Sequence, residues 1–82
     1  MRITIRLFAR LREIAGASEL SRDLPDGSTA RHAWDHLAGE FPAIAGYQAS
    51  VSCAVNEKYA RLTTRLHDGD DIAFLPPVSG GN

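Results

Sequence analysis

The chain has 82 residues, of which 44% are hydrophobic and 23% are charged, and its formal net charge is −1. This length allows one domain with a single core, and it excludes an enzyme that encloses a large substrate cavity together with its own catalytic machinery. Because the chain lacks a basic excess, a dedicated nucleic-acid-binding protein is also disfavoured.

The sequence also carries information on the compartment. No apolar run approaches the roughly 18 residues that a membrane span needs, so we expect no membrane association. The opening residues "MRITIRLF" alternate in polarity, unlike the apolar block of a signal peptide. The single Cys53 cannot form an internal disulfide, which agrees with a reducing compartment. We therefore expect a cytoplasmic protein.

The first quarter of the chain predicts a loose antiparallel hairpin. In "MRITIRLF", Ile3, Ile5 and Leu7 point to one face and Phe8 to the other, as in a half-buried strand. The stretch "ARLREIAG" breaks this alternation, and Gly16 is suited to closing a short helical turn. "SELSRDL" then predicts a second strand, which ends at the turn signal "PDG".

A single main helix is predicted next. Ser28 or Thr29 caps a helix that runs to about Phe41. Its apolar residues recur at helical spacing and form one face, which comprises Ala30, Ala33, Leu37 and Phe41. Trp34 lies at the margin of this face. Pro42 and Gly46 predict a loop after the helix.

The remaining stretches predict three strands. "SVSCAVN" is a strand with Val51, Cys53 and Val55 inward, "EKYA" a tight connection and "ARLT" a short pairing segment. "LHDGDD" is a turn, and "DIAFLP" is the final strand. This order favours an α+β fold of the β-grasp (ubiquitin-like) kind, a mixed sheet with one main helix packed across one face. The first and last strands are then parallel neighbours at the sheet centre. We predict a domain over residues 1–76 and a flexible Gly-Gly tail over residues 77–82.

For most candidate metal, nucleophile or cation sites, the sequence favours ordinary core or surface residues. His32 and His36 share a helix face, but "HAWDH" lacks the glutamate of a zinc motif and a third ligand, so we predict no metal site. Cys53 lies in the inward register of a strand with no histidine to activate it. Three acids (Asp68, Asp70, Asp71) lack the spacing of a calcium loop and are interpreted as a solvated turn, one that is able to face a basic partner. Four arginines near the start are explained equally by docking or by a solvated strand face (Arg2, Arg6, Arg10, Arg12).

Two features point to function. In "DIAFLP", Ile72 and Phe74 alternate with Leu75, so Leu75 faces outward when the other two face the helix. Phe8 falls on the same outer face, with Val78 just beyond. These residues form either a partner-binding patch or a scatter of ordinary surface apolar residues.

The second feature is the tail. Pro76 and Pro77 hold the chain extended where it leaves the sheet. From Pro77 to Gly81 the chain can reach on the order of 15 Å. Gly80 and Gly81 have no side chains, so this end fits a narrow channel and a carboxylate on Gly81 is sterically open.

Three stretches carry a family resemblance. "FARLREIAG", "AVNEKYA" and "LHDGDDIAFLPPVSGG" resemble, in order and spacing, the small subunit of molybdopterin synthase, a β-grasp sulfur carrier. The resemblance spans essentially the whole chain, and the tail block is its most specific part. The double proline favours the molybdopterin branch over carriers for thiamine, cysteine or tRNA thiolation. A ubiquitin-like protein modifier and a plain interaction module are the other open alternatives.

The resemblance implies a chemistry for the last glycine. An E1-like activating enzyme uses ATP to adenylate the Gly81 carboxylate, and sulfur displaces AMP to leave a thiocarboxylate. Gly80 is its slender neighbour. The tail then enters the large subunit, which builds the dithiolene on a pterin precursor in molybdenum cofactor biosynthesis. The resemblance further implies a heterotetramer of two small and two large subunits, no stably bound cofactor and no activity of the chain alone. Leu75, Phe8, Pro76, Pro77 and Val78 are the implied partner-binding residues.

Asn82 departs from the family pattern. There the second glycine ends the chain, whereas here the Gly81 carbonyl is joined to Asn82 in an amide and cannot be adenylated. Either Asn82 is foreign to the natural chain or a protease removes it. We expect the 82-residue form to be a precursor or a blocked form.

Overall fold

The computed structural model describes residues 1–77. Within them the chain forms five strands, two α-helices and one 3₁₀ helix. In chain order these are β1 (Arg2–Leu7), α1 (Ala9–Ala15), β2 (Glu19–Asp23), α2 (Ala30–Glu40), the 3₁₀ helix (Pro42–Tyr47), β3 (Ser52–Val55), β4 (Lys58–Ala60) and β5 (Asp71–Leu75).

The strands form one mixed sheet in the order β2-β1-β5-β3-β4. β1 pairs with β2 in antiparallel fashion and with β5 in parallel fashion, so the first and last strands are parallel neighbours at the centre. β5 then pairs with β3, and β3 with β4, both in antiparallel fashion. The predicted β-grasp topology is therefore confirmed. The division at residues 76 and 77 stays a prediction, because residues 78–82 lie outside the described part of the chain.

The core lies between the sheet and α2. Ile3, Ile5 and Leu7 are buried on the inward face of β1, and Ile72 and Phe74 are buried on the same face of β5, as the alternation predicted. The helix contributes the small residues Ala30 and Ala33 together with Trp34 and Leu37. The remaining buried apolar side chains are Leu11, Leu24, Ile44, Cys53 and Leu66.

Trp34 is not at the margin of the helix face, as the sequence had suggested. Its side chain is fully buried, and its ring lies edge-on to Phe74 with 5.1 Å between the centroids. Ala30 and Ala33 are too small to fill the space between helix and sheet, and the indole fills it instead. The indole Nε1 is buried and has no hydrogen-bond partner among residues 1–77.

Two further segments differ from the prediction. The expected loop at Pro42 and Gly46 is a 3₁₀ helix that begins at Pro42 and buries Ile44 against the core. The expected connection "EKYA" is itself mostly strand, because β4 spans Lys58–Ala60 and "ARLT" lies largely beyond it. The connecting turn is only two residues long, with φ 50° at Asn56 and 72° at Glu57. These left-handed residues suit a tight two-residue hairpin.

Helix α2 begins with a reciprocal cap. The Thr29 side chain accepts a hydrogen bond from the backbone N–H of His32, and the His32 Nδ1 accepts one from the backbone N–H of Thr29 at 2.9 Å. This arrangement satisfies two amide groups that the helix start would otherwise leave unpaired. Of the two predicted capping residues, Thr29 is the one used.

Two glycines provide a matched test of this fold. Gly39 lies in α2 and is exposed, and a Cβ there would meet nothing within 4 Å. Gly16 ends α1 with φ 73°. We expect Gly39→Ala to raise the free energy of unfolding by about 0.5 kcal/mol, because alanine restricts the unfolded chain and favours helix.

We expect Gly16→Ala to lower the free energy of unfolding by about 1 kcal/mol, because a side chain is disfavoured at positive φ. Denaturant titrations followed by circular dichroism measure both changes. The same sign for both variants would contradict the assignment.

Candidate functional site

The candidate site lies on the sheet face opposite α2, which we call the outer face. A groove of about 360 Å³ lies there, and we call it the outer-face groove. Its lining residues come from four of the five strands and from the segments that adjoin them: Arg6, Phe8, Ala54, Glu57, Tyr59, Asp71, Ala73 and Leu75.

Two alanines make the floor of the groove. Ala73 on β5 pairs with Arg6 on β1 and with Ala54 on β3, and Ala54 pairs in turn with Tyr59 on β4. Directly paired residues of a sheet point to the same face. The row therefore places two methyl groups between two large side chains, and the surface is depressed between them.

Apolar side chains form the walls. Phe8 is 44% exposed and Tyr59 is 81% exposed, and they are the only exposed large hydrophobic residues among residues 1–77. Leu75 is partly exposed at the end of β5. Phe8 and Leu75 were both predicted on this face, and the structure brings them together in one groove. Their role in binding stays a prediction.

Tyr59 was missed from the sequence. It lay in "EKYA", which was interpreted as a connection without a facing direction. The usable signal was the length of the turn. A two-residue turn at Asn56 and Glu57 forces Tyr59 into register with Ala54 and hence onto the outer face.

The direction of Phe8 is fixed by the junction of β1 and α1. Phe8 keeps an extended backbone, with φ −128° and ψ 154°, and Ala9 then turns sharply with φ 51°. Left-handed φ is uncommon for residues other than glycine and costs on the order of 1 kcal/mol. The turn starts α1 one residue after Phe8, so the ring stays on the outer face and does not enter the helix.

One side of the groove is charged but internally paired. The Arg6 Nε lies 2.6 Å from Asp71 Oδ2, and its Nη1 lies 2.9 Å from Glu19 Oε1. The hydrogen bond that Arg6 donates to the Asp71 carboxylate is the main reason that the pKa of Arg6 is raised above its ordinary value. Arg2 and Arg10 are also paired, with Asp23 and Glu13. Pairing within the chain thus occupies three of the four clustered arginines.

The tail leaves the sheet beside this groove. β5 ends at Leu75, after which Pro76 is partly buried and Pro77 is exposed. The other predicted tail residues, namely Val78, Gly80, Gly81 and Asn82, lie outside the described residues.

The remaining candidate residues have structural contacts. His36 Nε2 lies 3.0 Å from Glu40 Oε2, and His32 belongs to the cap of α2. Among residues 1–77, no three His, Cys, Asp or Glu side chains are grouped as a metal site requires. Cys53 is buried, and desolvation raises the pKa of its thiol, as expected for an inert core residue. No helix in the described part of the chain is long and apolar enough to cross a bilayer.

The comparisons with known proteins decide the family. The model of the ThiS family matches residues 5–81. The chain belongs to the ThiS family.

Similar proteins were found both by sequence and by structure. The molybdopterin synthase sulfur carrier subunit of Arabidopsis thaliana is 37% identical over 79 residues, which cover 96% of this chain and 82% of the relative. The subunit of the same name from Escherichia coli is 35% identical over 83 residues, covering 96% and 99%. The crystal structure of the small archaeal modifier protein SAMP1 from Haloferax volcanii matches with a TM-score of 0.86 at 30% identity, covering 99% of this chain and 100% of that one.

In this member of the ThiS family, the turn before β5 is exposed at His67, Asp68 and Gly69, as the sequence suggested, but its acids also accept hydrogen bonds from within the chain. Asp68 Oδ1 accepts the backbone N–H of Arg2 at 2.7 Å. Asp70 accepts the backbone N–H of His67 at 2.8 Å and the Asn56 side chain at 3.0 Å. Asn56 in turn accepts the backbone N–H of Asp71. The three acids therefore fix the turn to β1 and to the β3–β4 hairpin because each has a partner within the chain.

Asp70 provides a prediction on pH dependence. Desolvation is the largest single influence and raises the pKa of Asp70. The hydrogen bonds from Asn56 and from the His67 backbone, together with the electrostatic interaction with His67, outweigh it, so the pKa is lowered below its ordinary value of 3.8. A carboxylate whose pKa falls on folding stabilises the fold above the unfolded pKa, and this stabilisation is lost as the pH falls through the folded value. We expect Asp70→Ala to cost about 1–2 kcal/mol at neutral pH.

The difference between the original chain and Asp70→Ala should shrink as the pH falls below about 3.8. Denaturant titrations between pH 2.5 and 7, roughly the range in which carboxylates titrate, measure it. Asp26→Ala is the control, because the Asp26 side chain is 96% exposed. A cost for Asp70→Ala that is constant down to the lowest pH would contradict this role of the carboxylate.

Proposed function

We propose that this chain is the sulfur-carrying small subunit of molybdopterin synthase. In this role Gly81 receives sulfur as a C-terminal thiocarboxylate and donates it to a pterin precursor during molybdenum cofactor biosynthesis. The names of the relatives from Arabidopsis thaliana and Escherichia coli support the role directly, since both are molybdopterin synthase sulfur carrier subunits with which this chain aligns over nearly its whole length.

The observation that carries the proposal is the position of the tail root. β5 is held between β1 and β3 at the centre of the sheet, and Pro76 and Pro77 follow it immediately. The sequence then continues Val-Ser-Gly-Gly. An acyl group delivered into another protein's active site needs a rigid base and a slender end, and this strand supplies the base.

The chemistry requires help from other proteins. A carboxylate is a poor electrophile, so an E1-like enzyme first joins Gly81 to AMP at the expense of ATP. A sulfur donor then displaces AMP, the C–O bond to the phosphate breaks and a C–S bond forms. The resulting thiocarboxylate is anionic and nucleophilic. ATP thus acts on this chain only through the activating enzyme, and the chain itself holds no cofactor in the proposal.

The outer-face groove is the proposed docking surface for the large subunit. Phe8, Tyr59 and Leu75 offer apolar area next to the tail root, and the small floor at Ala54 and Ala73 accepts an inserted side chain. Aromatic anchors around a pocket are typical of residues that dominate binding energy. The complex then contains two small and two large subunits, as the family resemblance implies.

A second candidate function is protein modification through Gly81. The observation that favours it is the likeness to the small archaeal modifier protein, whose structure matches with a TM-score of 0.86 at 30% identity. The two roles share adenylation of Gly81 and differ in the acceptor. A mass shift of one sulfur-for-oxygen exchange on the cellular chain identifies a carrier, whereas adducts on other proteins identify a modifier.

The docking surface generates one prediction. We expect Leu75→Glu to weaken binding to the large subunit by at least about 2 kcal/mol, which is roughly a 30-fold rise in Kd, because it places a charge in a desolvated interface. Isothermal titration calorimetry with the matched large subunit measures the change. The fold should persist because Leu75 is partly exposed on the outer face.

Ala43→Glu is the matched control for Leu75→Glu. Ala43 is exposed on the 3₁₀ helix outside the groove, so the same added charge should leave binding unchanged. Equal loss of binding in both variants would rule out a specific role of the groove. Loss of the cooperative melt in Leu75→Glu would show that Leu75 supports the core.

Asn82 generates the prediction that tests the function itself. We expect a chain that ends at Gly81 to accept sulfur and the 82-residue form to accept none, because adenylation needs a free carboxylate on the glycine. Asn82 carries its own carboxylate about 3.5 Å further along the extended chain and bears a side chain where the tail must be thin. Such a displacement is costly in a site that positions reacting atoms.

The measurement is the intact mass of both forms after incubation with a matched activating enzyme, ATP and a sulfur source. The form that ends at Gly81 should gain the mass of a sulfur-for-oxygen exchange. Equal thiocarboxylate formation on the 82-residue form, with Asn82 still attached, would refute the prediction. A product that forms only after Asn82 is removed would identify a processing step.

A further inference from the structure

The outer-face groove holds one charge that the described chain does not pair. The charged residues of its lining are Arg6, Asp71 and Glu57. Arg6 is ion-paired with Asp71 and with Glu19, which lies outside the lining. Among residues 1–77, the Glu57 carboxylate forms no ion pair. The lining therefore has an excess of one negative charge, and Glu57 carries it.

Glu57 also occupies a backbone position that disfavours a side chain. It is the second residue of the two-residue turn between β3 and β4, and its φ is 72°. Asparagine is well suited to the first position of such a turn, which Asn56 occupies, but glycine is the preferred residue at the second. Turn geometry alone thus favours glycine at position 57, so the presence of glutamate there has to be explained by what its side chain contacts.

The turn that carries Glu57 is fixed to the start of β5. The Asn56 backbone N–H donates a hydrogen bond to the Asp71 carbonyl at 2.7 Å. The Asn56 side chain donates to Asp70 Oδ1 and accepts the backbone N–H of Asp71, both at 3.0 Å. A charged group on a fixed backbone loses less conformational freedom on binding than one on a mobile loop. The turn is therefore suited to presenting the Glu57 carboxylate to a partner in one place.

The adjacent cation is directed away from the groove. Lys58 pairs with Val55, whereas Tyr59 pairs with Ala54 on the groove floor. Adjacent residues of a strand point to opposite faces, so Lys58 lies on the side away from the groove. A partner that covers the groove therefore meets Glu57 and Tyr59 without meeting Lys58.

From these observations we propose that Glu57 determines specificity at the docking surface by pairing with a lysine or arginine of the large subunit. The inference rests on the proposed function, because it takes that subunit as the occupant of the groove. The matching surface of the subunit then has a cation beside the apolar part that covers Phe8, Tyr59 and Leu75. A charge at the edge of an interface acts mainly on orientation and association rate, while the apolar contacts supply most of the affinity.

The test measures the rate at which this chain associates with the matched large subunit, by stopped-flow fluorescence. Glu57→Gln keeps the size of the side chain and removes its charge. At an ionic strength of about 0.01 M we expect this variant to associate more slowly by roughly threefold to tenfold. At about 1 M, where charges are screened within about 3 Å, the rates of the variant and the original chain should converge.

Asp26→Asn is the matched control for Glu57→Gln. It removes the same charge from a side chain that is 96% exposed and lies outside the groove lining. The association rate of this variant should equal that of the original chain.

Glu57→Gly separates the side chain from the backbone. Glycine suits the left-handed φ of the turn, so the denaturant midpoint of this variant should rise. Its association with the large subunit should nevertheless slow as much as that of Glu57→Gln. A residue with a merely structural role would change stability and association in the same direction.

Each remaining outcome overturns the inference. An unchanged rate for Glu57→Gln at low ionic strength would do so while leaving the proposed function intact, since the original chain still binds. A loss of the same size at both ionic strengths would show that the contact is not ionic. An equal loss in Asp26→Asn would assign the effect to net charge. Failure of the original chain to bind the matched large subunit would overturn the proposed function as well.

Discussion

The rest of the structure depends on the parallel pairing of β1 with β5. The pairs run from Thr4–Asp71 to Leu7–Phe74, and the turn before β5 secures this register through the bond of Arg2 N–H to Asp68 and that of Thr4 N–H to the Asp70 carbonyl. Parallel strands need a long crossover, and here the crossover contains α2 and covers one face of the sheet. Only the other face remains open, and the tail root lies at the end of its central strand.

The period of two in β5 separates the residues that fill the core from those that line the outer-face groove. Ile72 and Phe74 are fully buried against the helix, while Asp71, Ala73 and Leu75 line the outer-face groove. A one-residue slip would exchange these sets and expose the core, so the burial of Ile72 and Phe74 also determines what the outer face presents. Outward residues can therefore change without direct loss of core packing. The exception is Asp71, whose bond to Arg6 couples the groove to β1.

The sequence predicted the elements whose pattern is local and missed those that depend on packing or turn geometry. Strict alternation identified the inward faces of β1 and β5, and helical spacing identified Ala30, Ala33 and Leu37. Trp34 was misplaced because a helical wheel gives an angle but not the space that two alanines leave beside it. Tyr59 was missed because its turn uses Asn56 and Glu57 at positive φ, where glycine would have been the clear signal. The hydrogen bonds of the acidic turn were not predicted because Arg2 and Asn56, which donate them, are distant from the turn in sequence.

The charges beside the groove bear on how a carrier exchanges partners. Arg6 is already bound to Asp71 and Glu19, so a protein that covers the groove need not supply a counter-ion for it. Exposed pairs of this kind contribute little to stability, and across an interface charges govern orientation and association rate more than affinity. In the proposed docking, affinity then comes from the apolar side chains around the alanine floor of the groove. In the proposed role the chain must dock first on an activating enzyme and then on the large subunit. A short apolar groove with internally paired charges suits such successive docking, because neither partner has to supply a counter-ion for Arg6.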